Sequence, residues 1–451
     1  MDILIKIAQL FLCFTILVGI HELGHFLMAR AFKIRVEKFY IFFDPWFSLF
    51  KFKRGDTEYG LGWLPLGGYV KIAGMIDESM DKEQMKQPVK PDEFRAKPAW
   101  QRLLVMVAGV MMNVLLAIVI YCAVCYTWGD SYFSNQDAKW GYNFNPTAHE
   151  MGFRDGDRFV SIDGEEIDNV MRVQNDLLIT DGGRRVIVER GGEPVTLDIP
   201  FESLLRMRQE KAYEDLFTLR LPFIVDSVSY TSAVEAGLES GDEVVAIDDL
   251  RDADYPRYRD YLQKHKNDKV LLTVRRDGAL IDSLALPVDA EGRIGVTVTN
   301  PYSLRTQYYT FWESIPAGIH KAGKTISSYW DQLKLIVQPK TKMYEELGGF
   351  VAIGSIFPSS WDWHDFWLKT AFLSIILAVM NLLPIPGLDG GHALFTLWEI
   401  ITRRKPSEKF LEVAQYVGLM IILALLVYAN GNDIYRFFIC LLYTSDAADE
   451  L

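Results

Sequence analysis

The chain has 451 residues, 50% of them hydrophobic, and its 47 Lys and Arg oppose 59 Asp and Glu for a formal net charge of -12. This acidic balance argues against a nucleic-acid-binding protein, because neutralising phosphates requires a clustered Lys/Arg surface, which no stretch of the sequence supplies. The four cysteines all lie outside residues 127–365, so a disulfide scaffold is excluded as well.

Four apolar runs have about the 20-residue length that a helix needs to cross a bilayer, at residues 7–27, 103–126, 366–383 and 413–428 with its flanks. The first is longer than the apolar core of a signal peptide and has no small-residue cleavage site, so we expect it to stay in the protein. Lys and Arg are dense in residues 30–102 and recur at 403–405, which places both loops in the cytoplasm. The long segment between the second and third runs, and both termini, then lie on the opposite side, which in a bacterium is the periplasm.

The first apolar run contains the motif His-Glu-Leu-Gly-His at residues 21–25. Two histidines four residues apart share one face of a helix, and this HExxH spacing suits a tetrahedral Zn²⁺, with Glu22 placed to polarise a metal-bound water. If Arg30 and Lys33 mark the cytoplasmic end, the histidines lie roughly 8–13 Å inside the hydrocarbon. Ionisable groups are costly at such depth, which favours a metal site over an exposed polar turn.

Residues 59–72, after the first run, alternate weakly in polarity and are rich in Gly, which predicts a β-hairpin rather than a helix. The second run carries Cys122 and Cys125, whose spacing resembles half of a redox or metal site. Since the sequence has no second pair of this kind, we interpret both cysteines as packing residues.

The soluble middle contains an internal repeat. Residues 148–157 and 233–242, offset by 85 positions, share a small residue, a Gly turn and a Gly-Asp pair that leads into an apolar strand. Each unit resembles a PDZ domain of the bacterial periplasmic type, whose groove between strand and helix takes an extended peptide, often a C-terminus. Residues 308–337 then have an amphipathic helical rhythm, and we expect this helix to pack on the membrane surface or against the PDZ pair.

The third apolar run ends in Asn-Leu-Leu-Pro-Ile-Pro-Gly-Leu-Asp-Gly-Gly at residues 381–391. A proline-broken helix is tolerated at membrane depth only where the freed backbone lines a polar cavity or is buried in protein. Two histidines leave a zinc site incomplete, and Asp389 is the candidate third ligand, although Asp-Gly-Gly alone is typical of a polar turn. Asn381 is either a helix cap or a hydrogen-bonding partner for an extended substrate. We interpret His392 as an interfacial residue.

Three motifs in this order, at residues 21–25, 65–71 and 381–391, resemble the site-2 protease family of intramembrane zinc metalloproteases (peptidase family M50), in particular its bacterial regulators of envelope stress. The resemblance covers nearly the whole chain. It implies one Zn²⁺ per chain, with His21, His25 and Asp389 as ligands and Glu22 as the general base.

The resemblance also implies a membrane-associated β-element, containing Gly67 and Gly68, whose edge pairs with an unwound substrate that Asn381 helps to hold. The chain departs from the family in the second apolar run. Family members often have Gly-Pro before an Asn, whereas here Gly109 is followed by Val110 ahead of Asn113. This departure leaves the helix geometry there in question.

We therefore predict a polytopic α-helical membrane protein with about four transmembrane helices, a membrane-associated β-element and two α+β PDZ-like domains. The first membrane part is predicted at residues 1–126, followed by two PDZ-like domains at 127–222 and 223–305. An amphipathic helical linker at 306–365 and a second membrane part at 366–442 come next, and residues 443–451 are predicted to be an added, non-native tail.

The function implied by the resemblance is cleavage of single-pass proteins within the bacterial inner membrane during envelope stress signalling. Anti-sigma factors and remnant signal peptides are the implied substrates, and the PDZ pair is interpreted as a filter that admits substrates already trimmed on the outer side. One alternative is a catalytically silent membrane adaptor whose PDZ pair binds envelope proteins. Another is an ion-coupled transporter, although the inverted repeats expected there are not apparent.

Overall fold

The computed structural model of the protein describes residues 2–64, 67–75, 88–213 and 215–449, and for residues 408 and 437–449 it describes only the backbone. The chain divides into two compact units. The membrane unit combines Met1–Asp130 with Tyr308–Leu451, and the inserted unit is Ser131–Gln307. The inserted unit therefore interrupts the membrane unit in sequence.

The first part of the membrane unit consists of two long helices, α1 (Asp2–Ala31) and α2 (Ala99–Trp128), and a four-stranded sheet. Pro98 precedes α2 and Gly129, at φ 76°, ends it, as is common at helix boundaries. The strands are β1 (Val36–Ile41), β2 (Phe43–Arg54), β3 (Thr57–Leu64) and β4 (Tyr69–Ile72), in the order β2-β3-β1-β4.

The predicted hairpin at residues 59–72 is wrong in its pairing. Strands β3 and β4 lie on either side of β1, which is parallel to β3 and antiparallel to β4. The tight turn instead joins β2 to β3, where Gly55 adopts φ 63°, a conformation that glycine reaches without strain. Residues 65 and 66 of the predicted motif lie outside the described residues.

The inserted unit contains two successive copies of one α+β arrangement. After β5 (Asp130–Tyr132), the first copy comprises β6 (Tyr142–Phe144), α3 (Pro146–Glu150), β7 (Arg158–Ile162), β8 (Glu165–Glu166), α4 (Val173–Leu178), β9 (Arg184–Arg190), β10 (Glu193–Ile199), α5 (Phe201–Gln209) and β11 (Phe217–Leu219). The strand order is β10-β9-β7-β8, with β11 and β6 as a separate pair.

The second copy comprises β12 (Phe223–Val228), α6 (Thr231–Glu235), β13 (Glu243–Ile247), β14 (Leu250–Arg251), α7 (Tyr255–Lys264), β15 (Lys269–Arg276), β16 (Ala279–Pro287) and β17 (Val296–Val298), and is followed by β18 (Arg305–Gln307). The strand order is β16-β15-β13-β12-β17, β14 pairs with β13, and β18 pairs with β5. In both copies the last strand returns to the first, β11 to β6 and β17 to β12. The two copies share one order of elements apart from α5, but the pair of first and last strands is separate from the main sheet in the first copy and part of it in the second. The PDZ resemblance stays a prediction.

The membrane unit resumes with α8 (Phe311–Val337), α9 (Phe350–Ser355), α10 (Trp363–Leu382), α11 (Asp389–Thr402) and α12 (Glu408–Asp449). Among the described residues, four helical stretches are long and apolar enough to cross a membrane: α1, α2, α10 and Lys409–Arg436 within α12. These four helices coincide with the four predicted apolar runs and are candidate membrane spans by length and composition. Helix α11 was not predicted, and the backbone of the predicted tail is helical as far as Asp449.

Helix α8 is the predicted amphipathic helix, but its buried face has a partner that the sequence did not indicate. Ala322 is buried in a cluster with Ala117 and Tyr121 of α2 and Ala371 of α10. A Cβ at Gly318 would lie 2.5 Å from the backbone nitrogen of Cys122, so only glycine permits this approach. Small residues one turn apart therefore let α8 pack on the membrane helices themselves.

Candidate metal centre and active-site cavity

Two buried histidines lie next to each other on one face of α1. His21 and His25 are each 7% exposed. Their Nε2 atoms are 3.2 Å apart, because residues four apart lie on the same face of a helix. One face of α1 therefore presents two nitrogen donors to a common point.

Two glycines bring α1 and α2 into close contact beside these rings. A Cβ at Gly24 would lie 2.5 Å from the carbonyl oxygen of Ala108, and a Cβ at Gly109 would lie 2.4 Å from Nε2 of His25 and 2.7 Å from Cε1 of His21. Any larger residue at either position would displace the helices or the imidazoles. Although Val110 stands where family members often have proline, α2 is one continuous helix.

Asp389 is brought to the histidines by a tight turn between α10 and α11. Helix α10 ends at Leu382, and the chain then turns through two prolines and Gly387, which adopts φ 97°. A Cβ at Gly390 would lie 2.3 Å from the carbonyl oxygen of Leu383, so the turn closes only with glycine there. Asp389 is the first residue of α11 and projects from this turn.

The three side chains converge on one point. Asp389 Oδ2 lies 3.0 Å from His21 Nε2 and 3.3 Å from His25 Nε2. Tetrahedral zinc with bonds of about 2.0–2.1 Å requires ligand atoms about 3.3 Å apart, close to these separations. Asp389 Oδ2 is buried, yet among the described residues it has no partner of hydrogen-bonding geometry. Two imidazoles and a carboxylate oxygen that lies beside them without a well-aligned hydrogen bond fit a zinc ion.

Glu22 lies between the two histidines in sequence and faces strand β4. Its carboxylate is close to the backbone N–H of Val70. A Cβ at Gly68 would lie 2.7 Å from Cγ1 of Val18 and 2.8 Å from the carbonyl oxygen of Tyr40, so this glycine lets β4 approach α1. The edge strand of the sheet therefore borders the carboxylate that could act as a base.

One cavity of about 870 Å³ is lined by all of the predicted site residues, which are His21, Glu22, His25, Gly67, Gly68, Asn381 and Asp389. Asn381 Nδ2 lies 3.5 Å from His21 Nε2, which places its amide beside the metal-binding atoms. Strand β4 ends the sheet order, and within the described residues no strand pairs with its outer edge. The cavity thus joins a candidate metal centre, a carboxylate and an available strand edge.

The structure adds residues to the site that the sequence reasoning missed. Gln415 on α12 is 8% exposed and lines the cavity, and an amide within the apolar run 413–428 is a signal that could have revealed it. His392, expected at the interface, also lies on the cavity wall, because α11 begins at Asp389 and continues past it. Asn113 contacts His21 from α2.

Comparison with known proteins shows similarity along the whole chain. The model of Peptidase family M50 matches residues 9–425. A Clostridium perfringens protein that carries the name of a zinc metalloprotease is 30% identical over 426 residues, covering 94% of this chain and 96% of that protein. The Regulator of sigma E protease of Haemophilus influenzae is 27% identical over 460 residues, covering 97% of this chain and 100% of that protein. The similarity therefore includes both parts of the membrane unit and the inserted unit.

Proposed function

Since the chain belongs to peptidase family M50 and is a zinc metalloprotease with membrane-spanning helices, we propose that it cleaves peptide bonds within or near the transmembrane segments of single-pass proteins. The observation that carries this proposal is the convergence of His21, His25 and Asp389 on helices of the membrane unit. At 1.5 Å per residue, His25 lies roughly 9 Å and His21 roughly 15 Å from the last residue of α1. A scissile bond must reach this depth.

We assign the site residues on this basis. His21, His25 and Asp389 hold one Zn²⁺, which when bound supplies a Lewis acid for the scissile carbonyl and lowers the pKa of a water molecule. Glu22 accepts the proton of the attacking water and returns it to the leaving amine. Its position between two ligands on one helix suits both transfers.

The substrate has to be extended before it can react, because a helix engages its carbonyls in its own hydrogen bonds. The outer edge of β4 offers backbone groups to a substrate strand, and Gly67 and Gly68 present no side chain to obstruct it. Asn381 adds an amide next to His21. We assign these residues to holding the unwound segment beside the metal centre.

We further propose that the protein lies in a bacterial inner membrane with the inserted unit in the periplasm, since Lys and Arg concentrate in the two loops on the other side. The two copies in that unit are assigned as PDZ-like domains that admit substrates trimmed on the outer side. Anti-sigma factors and remnant signal peptides are the proposed substrates, and the name of the Haemophilus relative supports a role in sigma-E regulation. A silent adaptor is disfavoured because the chain retains Glu22 with the three proposed ligands.

The test measures zinc content and cleavage of a single-pass model substrate in detergent, comparing the parent with Glu22→Gln. We expect both proteins to hold about one zinc, and we expect only the parent to cut. A parent that holds no zinc and cuts nothing would overturn the proposal.

The proposed filter is tested in the same assay with two substrates that share one transmembrane segment, one with and one without a folded outer domain. The filter requires that the trimmed substrate is cleaved faster.

A further inference from the structure

Helix α2 contacts the outer nitrogen of each imidazole. His25 Nδ1 lies 2.8 Å from the carbonyl oxygen of Val105, which can only accept a hydrogen bond. An imidazole that binds a metal through Nε2 carries its proton on Nδ1, and an acceptor there fixes both the tautomer and the ring orientation. Val105 supplies that acceptor to His25.

His21 meets a side chain instead of a backbone carbonyl. Its Nδ1 lies 3.2 Å from the amide of Asn113, a residue with 0% exposure. The amide is placed with Nδ2 toward the ring, and its Oδ1 is buried without a partner among the described residues. Oxygen and nitrogen of an amide are distinguished only by their hydrogen-bonding partners.

The chemistry of metal binding decides the orientation of this amide. With Nδ2 toward the ring, His21 would have to accept at Nδ1 and carry its proton on Nε2, the atom directed at Asp389. With the amide reversed, Oδ1 accepts the Nδ1 proton and Nε2 is free to bind a cation, and the buried oxygen gains a partner. Only the second arrangement is compatible with His21 as a ligand.

We propose that Asn113 is a positioning residue for zinc, whose side-chain oxygen accepts the Nδ1 proton of His21 and holds the opposite nitrogen toward His25 and Asp389. Asn113 follows Gly109 by four residues, so the two share the face of α2 that lies against α1. Ser374 of α10 donates to the backbone oxygen of Asn113 at 2.8 Å and supports the helix at this point. The inference rests on the proposed function, in which His21 is a zinc ligand.

The experiment compares zinc retention of the full-length parent, Asn113→Leu, Asn113→Asp and Ser374→Ala during titration with a chelator, with substrate cleavage measured in parallel. Loss of a partner outside the ligand shell typically weakens metal binding 10–100-fold, and we expect that loss for Asn113→Leu. Asn113→Asp keeps an acceptor in place and should retain zinc within a few-fold of the parent. Ser374→Ala removes a hydrogen bond to the same residue but leaves its amide, and should also retain zinc.

The aspartate variant separates positioning from packing. If Asn113 only filled space, a buried carboxylate would be at least as harmful as leucine, and that result would overturn the proposal. Equal zinc retention by the parent and Asn113→Leu would overturn it too, while leaving the proposed function intact. A parent without zinc would overturn both.

Discussion

Both units contain aspartates with a buried carboxylate oxygen, but these carboxylates differ in their hydrogen-bonding partners. In the inserted unit, Asp157 and Asp242 follow the repeated glycines and are 1% and 0% exposed. Each is bound by an arginine through two contacts, Arg190 at 2.7 and 2.8 Å and Arg276 at 2.6 and 2.7 Å. Each therefore has its charge neutralised by the chain itself, as buried carboxylates require.

Asp389 in the membrane unit is the contrasting case. Its buried Oδ2 has two imidazoles close by but no hydrogen-bonding partner among the described residues. The difference separates a structural carboxylate from a functional one better than burial alone. A buried carboxylate that is hydrogen-bonded and neutralised by an arginine stabilises the fold. A carboxylate that points at other metal-binding atoms and has no such partner is available to bind a metal ion.

The largest effect that tests this contrast is expected from Asp389→Asn. The amide has no negative charge for a cation, so we expect zinc affinity and cleavage rate to fall by more than the roughly 100-fold loss typical of partners outside the ligand shell. The stability of the inserted unit against unfolding should not change. Zinc retention against a chelator, cleavage rate and hydrogen exchange of inserted-unit peptides measure the three quantities. A variant that still holds zinc and cuts would remove Asp389 from the metal centre.

Asp242→Asn is expected to have the opposite result. It removes the buried carboxylate that binds Arg276 and leaves this arginine with the exposed carboxylate of Glu239, so the inserted unit should lose roughly 5 °C of melting temperature while zinc content stays at the parental level. Asp198→Asn is the matched control, because its ion pair with Arg185 is exposed and such pairs contribute little. A loss of zinc in Asp242→Asn would break the distinction between the two carboxylates.

The pH dependence of this melting-temperature difference tests the role of the Asp242 carboxylate further. Burial raises the pKa of Asp242, but hydrogen bonds from Arg276 and from the backbone of Glu239 outweigh it and leave the pKa below its ordinary value. A carboxyl with a lowered folded pKa contributes stability above its unfolded pKa of about 3.9 and loses that contribution as the pH falls through the folded value. The difference in melting temperature between parent and Asp242→Asn should therefore shrink below about pH 4.

Local spacing explains what could be predicted from the sequence. Two histidines four residues apart converge on any helix, and four long apolar runs form helices whatever their neighbours are. The predicted pairing of β3 with β4 was wrong because β1, which is distant from β4 in sequence, lies between them in the sheet. Helix α11 was missed because Asp-Gly-Gly is typical of a turn, yet a Cβ at Gly391 would lie 2.5 Å from the carbonyl oxygen of Ile385. Both glycines are required because the start of α11 packs closely against the backbone of the preceding turn.

The supporting residues of the site were hidden for the same reason. An apolar period identifies the buried face of α8 but not the helix that covers it. Asn113 was noticed only as part of a family pattern, because its contact with His21 depends on how α2 crosses α1 at Gly24 and Gly109. Gln415 reaches the cavity from a helix far along the chain.

The smallest effect is expected at the cysteine pair of α2. These two residues have the spacing of metal ligands but lie outside the candidate metal centre, so they test whether convergence of side chains identifies a metal site. Cys122 and Cys125 are free thiols, and the Cys122 thiol donates to the carbonyl oxygen of Ile315 at 3.6 Å. Among the described residues, the cluster able to hold a metal contains only His21, His25 and Asp389. Cys122→Ser should therefore keep zinc content and cleavage within about twofold of the parent, because serine preserves a donor of similar size. A loss of zinc in this variant would mean that the chain also binds metal at Cys122. Convergence of side chains such as that of His21, His25 and Asp389 would then not identify every metal site of the protein.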